Sequence, residues 1–231
     1  MLNPVPLDGI EGVVFDAVGT LIDPEPSVSD VYAEAARRQG IALERALIKS
    51  RFARYFGDDE VDYLRGPLAT DEATERRRWR RVVGRVLPEL PDPDGAFEEL
   101  WIHFGRAESW RLFADVEPAL ERLRRAGLPS RIASNFDGRL RGVVGGLPAL
   151  AAWGETLVIS SEVGYRKPHP SFYHAAAESL GLPPSRVLCV GDDPENDLHG
   201  PRRAGLKSIL VDRERRDPDD LPRLAGLAEL I

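Results

Sequence analysis

Five short apolar runs recur along this chain, and they set its fold class. They are GVVFDAV (12–18), SRIAS (130–134), TLVIS (156–160), RVLCVGD (186–192) and KSILV (207–211). Each is bounded by glycine, proline or polar residues, as buried strands are. Helix-like stretches lie between the later runs, at 117–126, 137–146, 170–181 and 197–204. Strands alternating with helices make βαβ units, so the pattern predicts an α/β fold with a doubly wound parallel sheet.

Residues 24–109 break this rhythm. They read as helices around 28–39, 43–56, 71–87 and 94–107, with breaks expected at Gly40, Gly57, Gly66-Pro67 and Pro91-Asp92-Pro93. A helical block spliced in after the first strand predicts a core domain of residues 1–23 and 110–231 and a cap domain of residues 24–109. Ligands of such sheets bind beyond the carboxyl ends of the strands. The block leaves the sheet at that edge, so it is expected to cover the site.

Composition narrows the partners. The net charge of −7 argues against nucleic acid, whose phosphates are bound by cationic surface. The one dense basic run, Arg76-Arg77-Arg78-Trp79-Arg80-Arg81, follows Glu72 and Glu75 and reads as the solvated face of a helix. Cys189 is the only cysteine, which excludes an intrachain disulfide and points to the cytoplasm. No signal peptide is recognisable, and no apolar run approaches the ~20 residues of a membrane span. No membrane partner is expected.

Four signals fall at strand ends. The first strand delivers Asp16 into a turn containing Gly19 and Thr20, suited to bringing backbone amides close to an anion. A carboxylate there can act as nucleophile, metal ligand or helix cap. Ser134 ends the second run with Asn135 beside it, a place for holding a phosphate oxygen or for an ordinary turn. Lys167 precedes Pro168, which holds it extended or turned; a fixed ammonium can neutralise carboxylates and phosphate, although most lysines lie on the surface. The fourth run ends in Asp192-Asp193, with Asp197 four residues further. Three such carboxylates repel one another unless a cation sits among them, and a hard ion such as Mg²⁺ suits them. Acidic capping of the next helix explains some of the three, but not easily all.

In this order, the signals resemble the motifs of the haloacid dehalogenase superfamily, in the subfamily whose helical (C1-type) cap is inserted after the first strand. The resemblance spans roughly 10–213, with FDAVGTLID as motif one, Ser134 as motif two, Lys167-Pro168 as motif three and GDDPEND as motif four. It implies a Rossmannoid core and a Mg²⁺-dependent hydrolase of small phosphorylated substrates. Asp16 would be nucleophile and metal ligand. Ser134, Asn135, Gly19 and Thr20 would bind the phosphoryl group, and Lys167 would pair with Asp16. Asp192 and the backbone carbonyl of Val18 would complete the metal's protein ligands. Asp193 and Asp197 would hold the metal's waters or orient Lys167.

Val18 departs from the pattern. In the family's phosphatases this place usually carries a second Asp, which protonates the leaving oxygen and activates water. Valine does neither, and general acid–base help is worth typically ~10²–10⁴-fold. An activated leaving group, such as an acyl or aryl phosphate, needs less of it. The DAVGT reading also resembles a branch named after a rhythmically expressed insect gene product. Asp23, Glu25 and His103 are candidate substitutes for the missing acid.

Three readings follow: a phosphatase selective for good leaving groups, a phosphate-binding or regulatory protein without turnover, and another hydrolase of the same scaffold. The last includes a dehalogenase, which would lose the metal-suited Gly191-Asp192, and a phosphonate hydrolase, which needs a cap lysine where only Lys49 occurs. Trp79, Trp101, Phe104 and Trp110 are expected to fill core more than to line a pocket.

Overall fold

The computed structural model describes residues 8–214 and 221–230; residues 1–7, 215–220 and 231 of the expected core domain lie outside the described residues. The chain opens on β1 (Gly12–Phe15) and β2 (Ile22–Pro24), then runs through four helices, α1 (Val28–Arg38), α2 (Arg45–Leu64), α3 (Glu72–Val86) and α4 (Pro93–His103). It returns through β3 (Trp110–Leu112), α5 (Val116–Arg125), β4 (Ser130–Ser134), α6 (Arg139–Gly146), β5 (Val158–Ile159) and α7 (Ser160–Val163). The remainder is α8 (Pro170–Ser179), β6 (Val187–Gly191), a π-helical turn (Pro194–His199), α9 (Gly200–Arg203), β7 (Lys207–Val211) and β8 (Arg223–Leu224).

Six strands form one sheet in the order β5-β4-β1-β6-β7-β8, every pairing parallel. Successive side chains of a strand point to opposite faces. Accordingly Val13, Phe15, Leu188 and Val190 pack on one side with Leu120 and Leu123 of α5 and Val143 of α6. Val14 and Cys189 pack on the other with Phe172, Tyr173 and Ala176 of α8. This double burial explains why the runs read as continuous apolar segments. The runs at 130–134 and 207–211 are strands over their full length; the others are trimmed by one to three residues at an end.

Helices α1–α4 pack around a cluster of their own, built on Tyr32, Ile48, Val82, Val86, Phe97 and Leu100. The antiparallel pair β2–β3 joins the two ends of this block. Ser27, Asp71 and Asp92 cap α1, α3 and α4 through their side chains, as helix-start signals require.

Two expectations fail here. Gly57 does not break α2, which continues to Leu64. The ~1 kcal/mol that glycine costs a helix interior is outweighed by tertiary contacts on both sides of it. Phe52 and Phe56 stack on Trp79 of α3, with centroids 6.5 and 5.8 Å away, and Asp59 and Glu60 pair with Arg78. Arg78 itself is not on a solvated face. It is buried among Asp59, Glu60 and Glu75, although Arg77 and Arg80 of the same run are exposed.

Candidate active site

The carboxyl ends of β1, β4 and β6 converge, as expected for ligand sites in such sheets. Asp16 follows β1 directly and stays in register with the sheet, its N–H donating to the Val190 carbonyl at 2.9 Å. Its Oδ1 accepts from Ser134 Oγ at 3.1 Å and from Lys167 Nζ at 2.8 Å. Lys167 Nζ donates also to Asp197 Oδ1 at 2.8 Å. The ammonium thus bridges two carboxylates from different elements, and all three groups are buried.

Glycines make these approaches possible. A Cβ on Gly191 would lie 2.2 Å from Asp197 Cγ, and one on Gly19 would lie 2.4 Å from an Asp192 oxygen. Gly19 also has φ +85°, the left-handed region that glycine enters without strain. One ligand atom from each of Asp16, Asp192 and Asp197 falls within 4.8 Å of the others.

The other sequence-predicted residues take separate places. Thr20 Oγ1 donates to Asp192 Oδ1 at 3.3 Å, while Gly19 N–H is used by the Ile22 carbonyl. Asn135 directs its amide at the backbone of Lys167, accepting from its N–H at 2.8 Å and donating to its carbonyl at 3.2 Å. Asp193 accepts from the N–H groups of Glu195 and Asn196 and so caps the π-helical turn. Asp197 Oδ2 accepts from Asp193 N–H at 3.1 Å. Between the two acids, then, Asp197 touches Lys167 and Asp193 does not.

Burial decides the titration of the site. It pushes the Asp16 carboxyl up to about 6; Lys167 pulls against it, and Asp197 adds to it. Burial also presses on Lys167, but Asp16 and Asp197 outweigh it and hold the ammonium firmly charged. A divalent cation between Asp16 and Asp192 would keep Asp16 ionised at neutral pH. The donor set, two carboxylates beside a turn that brings them close, fits a hard cation.

Above the cluster, between the helical block and the sheet, lies a cavity of about 280 Å³. Val18 and Asn135 close its lower end, next to Asp16 and Ser134. Trp79, Trp101, Phe104 and Trp110 all line it, so these aromatics shape a pocket as well as core. Sequence reasoning missed four further residues. Tyr32, Phe52 and Arg139 also line the cavity. Arg213 donates to the carbonyls of Gly19 and Thr20, at 3.0 and 2.9 Å, and ties that turn to Asp115. No motif marks these four; only the assembled fold brings them there.

A sequence model of the haloacid dehalogenase-like hydrolases matches residues 10–205. The chain belongs to this family. The hydrolase is 28% identical over 231 aligned positions to the human haloacid dehalogenase-like hydrolase domain-containing protein 3, spanning 95% of this chain and 91% of that one. It is 27% identical to the phosphoserine phosphatase of Thermus thermophilus, over 95% and 97% of the two chains. Its fold is similar to that of the L-2-haloacid dehalogenase of Xanthobacter autotrophicus, with a TM-score of 0.71, 22% identity and 96% of each chain covered. The core is therefore Rossmannoid, and the helical block is the hydrolase's cap. Among the described residues, no helix is long and apolar enough to cross a membrane.

Proposed function

We propose that this hydrolase is a Mg²⁺-dependent phosphatase of small phosphorylated substrates, with core residues 1–23 and 110–231, cap residues 24–109, and membership of the insect-named branch that DAVGT resembles. The observation that carries the phosphatase reading is the retained acidic cluster. An oxygen of Asp192 lies within 4.8 Å of one of Asp16, which supports a shared cation, whereas a metal-free dehalogenase has no use for Asp192. In this reading Asp16 and Asp192 hold the ion, with the Val18 carbonyl. When bound, it neutralises phosphoryl oxygens and positions the substrate.

The chain's own groups then act as follows. Asp16, its carboxylate oriented by Ser134 and Lys167, attacks phosphorus with one oxygen, forming an acyl-phosphate and expelling the leaving oxygen. Lys167, fixed by Asp197 and by the grip of Asn135 on its backbone, offsets the charge gathering at phosphorus. Water then attacks phosphorus, the bond to Asp16 breaks, and the carboxylate is restored.

No candidate substitute for the missing acid stands at the site. Asp23 and Glu25 both pair with Arg111, and His103 lies outside the lining of the cavity. Lys49 is exposed and away from the cavity, which leaves the phosphonate hydrolase without its base. A dehalogenase draws support from Val18 and the apolar cavity, and a non-catalytic binder from Val18 alone.

One assay separates these readings: phosphate release from acetyl phosphate and 4-nitrophenyl phosphate, with and without Mg²⁺, beside chloride release from 2-chloropropionate. The phosphatase predicts metal-dependent phosphate release that Asp16→Asn abolishes. Metal-independent chloride release would replace it with the dehalogenase, and silence on all substrates with the binder.

A further inference from the structure

Resting on the phosphatase reading, we infer that the cavity beneath the cap receives the leaving group, and that this group is aromatic: the substrate class is an aryl phosphate monoester of one or two rings. The walls carry the first part of the argument. Phe52, Phe56 and Trp79 stack in one panel, with centroids 5.6–6.5 Å apart. Flat π-surfaces of this kind favour another ring, offset or edge-on. The volume fits as well. A cavity of roughly 150 Å³ holds one benzene, and this one is about 280 Å³.

The second part is what the walls withhold. Among the described residues Arg139 is the one charged residue lining the cavity, and its guanidinium is committed. Nε and Nη2 donate to Asp137, both at 2.7 Å, and Nη1 to the Trp101 carbonyl at 2.8 Å. Its carbon lies 3.3 Å from the Trp101 ring centroid, so even its face is covered. The Asn135 amide is spent on Lys167, and Trp110 Nε1 on the Phe104 carbonyl. The walls otherwise offer only the Tyr32 hydroxyl, on a residue 2% exposed, and the indole N–H groups of Trp79 and Trp101. A polyol or an amino acid buried here would leave hydroxyls or charges unpaired. Each unpaired buried hydroxyl weakens binding roughly five- to a hundredfold.

The third part is the floor. Val18 meets both the cavity and the reacting centre, and it has no proton to give. The P–O bond must break with its electron pair leaving on an oxygen that is not protonated by that residue. A phenolic oxygen, of pKa about 10, carries that charge far better than an alkoxide. The phenolate then takes its proton from water. Wall chemistry and floor chemistry select the same group.

The test uses the full chain with Mg²⁺. Kinetics compare 1-naphthyl phosphate and phenyl phosphate with phosphoserine and glycerol 3-phosphate; acetyl phosphate serves as the small activated acyl phosphate. Binding of 1-naphthol, against sorbitol, is read from quenching of tryptophan fluorescence, which needs no turnover. The expected result is kcat/KM for 1-naphthyl phosphate at least ~10²-fold above both alkyl esters, saturable naphthol binding, and no sorbitol binding. Phe56→Asp, checked for folding by circular dichroism, should weaken naphthol binding at least tenfold. Turnover of acetyl phosphate without an aryl preference would overturn the inference while leaving the phosphatase standing. Absence of turnover on every ester would overturn both, and naphthol binding unchanged in Phe56→Asp would overturn the placement of the ring.

Discussion

Replacing Arg166 by methionine should cost this protein about 3 kcal/mol of stability, most of it felt where cap meets core. Arg166 lies beside Lys167 and is 2% exposed. Its Nη2 donates to Glu60 of α2 at 2.6 Å, its Nη1 to Glu75 of α3 at 3.4 Å, and its guanidinium carbon stands 4.4 Å from the Tyr63 ring centroid. Methionine keeps most of the stem and volume but removes the charge. Deleting one partner of a buried pair typically costs about 3–5 kcal/mol, because the other charge is left uncompensated. The lower end applies here. Arg78 remains on both glutamates, and Thr70 still donates to Glu75 at 2.7 Å. At ~2–4 °C per kcal/mol for a chain of this size, Tm should fall by about 6–12 °C. Urea unfolding and thermal scans of wild type, Arg166→Met, Glu60→Gln and the double variant make a cycle whose coupling should reach at least ~1 kcal/mol. A loss below ~1 kcal/mol, or additivity of the two changes, would refute a load carried by this pair.

Three further outcomes are expected. Val18→Asp restores a proton donor at the site, so hydrolysis of glycerol 3-phosphate should rise by ~10²-fold or more while that of 4-nitrophenyl phosphate changes little; equal effects on both esters would dismiss the leaving-group argument. Gly191→Ala drives a methyl into Asp197, 2.2 Å from its Cγ, and should lower Tm and also cut kcat by freeing Lys167 from one of its two carboxylates; a variant with unaltered Tm and kcat would contradict the contact. Burial pushes the Asp59 carboxyl up, but hydrogen bonds from Arg78 and Arg81 outweigh it and hold it below the usual range. A depressed folded pKa contributes stability above the unfolded value of about 3.9, lost as pH falls through the folded value. Asp59→Asn should therefore flatten the acid limb of a stability–pH curve below ~pH 4, and an unchanged limb would show that other groups govern it.

The strands and most helices were legible because each answers to a local rule. Apolar runs ended at polar or glycine boundaries, and the helices expected from about 28, 71 and 94 start at Val28, Glu72 and Pro93. The positions of Asp16, Ser134 and Asp192 at strand ends were equally readable, since a parallel sheet gathers such ends; Lys167 stands instead on the loop between α7 and α8. What was hidden depends on distant partners. The hairpin β2–β3 pairs residues nearly ninety positions apart, and its strands are too short to show a period. The burial of Arg78 requires acids from α2 as well as its own helix. The grip of the Asn135 amide on the Lys167 backbone is a pairing across 32 residues, which no local pattern announces. The aromatic pocket was undecidable from spacing, because a ring that fills core and a ring that faces a void have the same periodicity.

The loop that carries Lys167 also grips the cap. Arg166 N–H donates to the Leu68 carbonyl and Thr70 N–H to the Gly164 carbonyl, while the Arg166 side chain enters the glutamates of α2 and α3. Roof anchor and nucleophile partner are consecutive residues. Tilting the roof to admit a new class of molecule would drag the ammonium off its aspartates, so a lineage built this way is steered toward changing its diet by repainting the walls and leaving the rafters where they are.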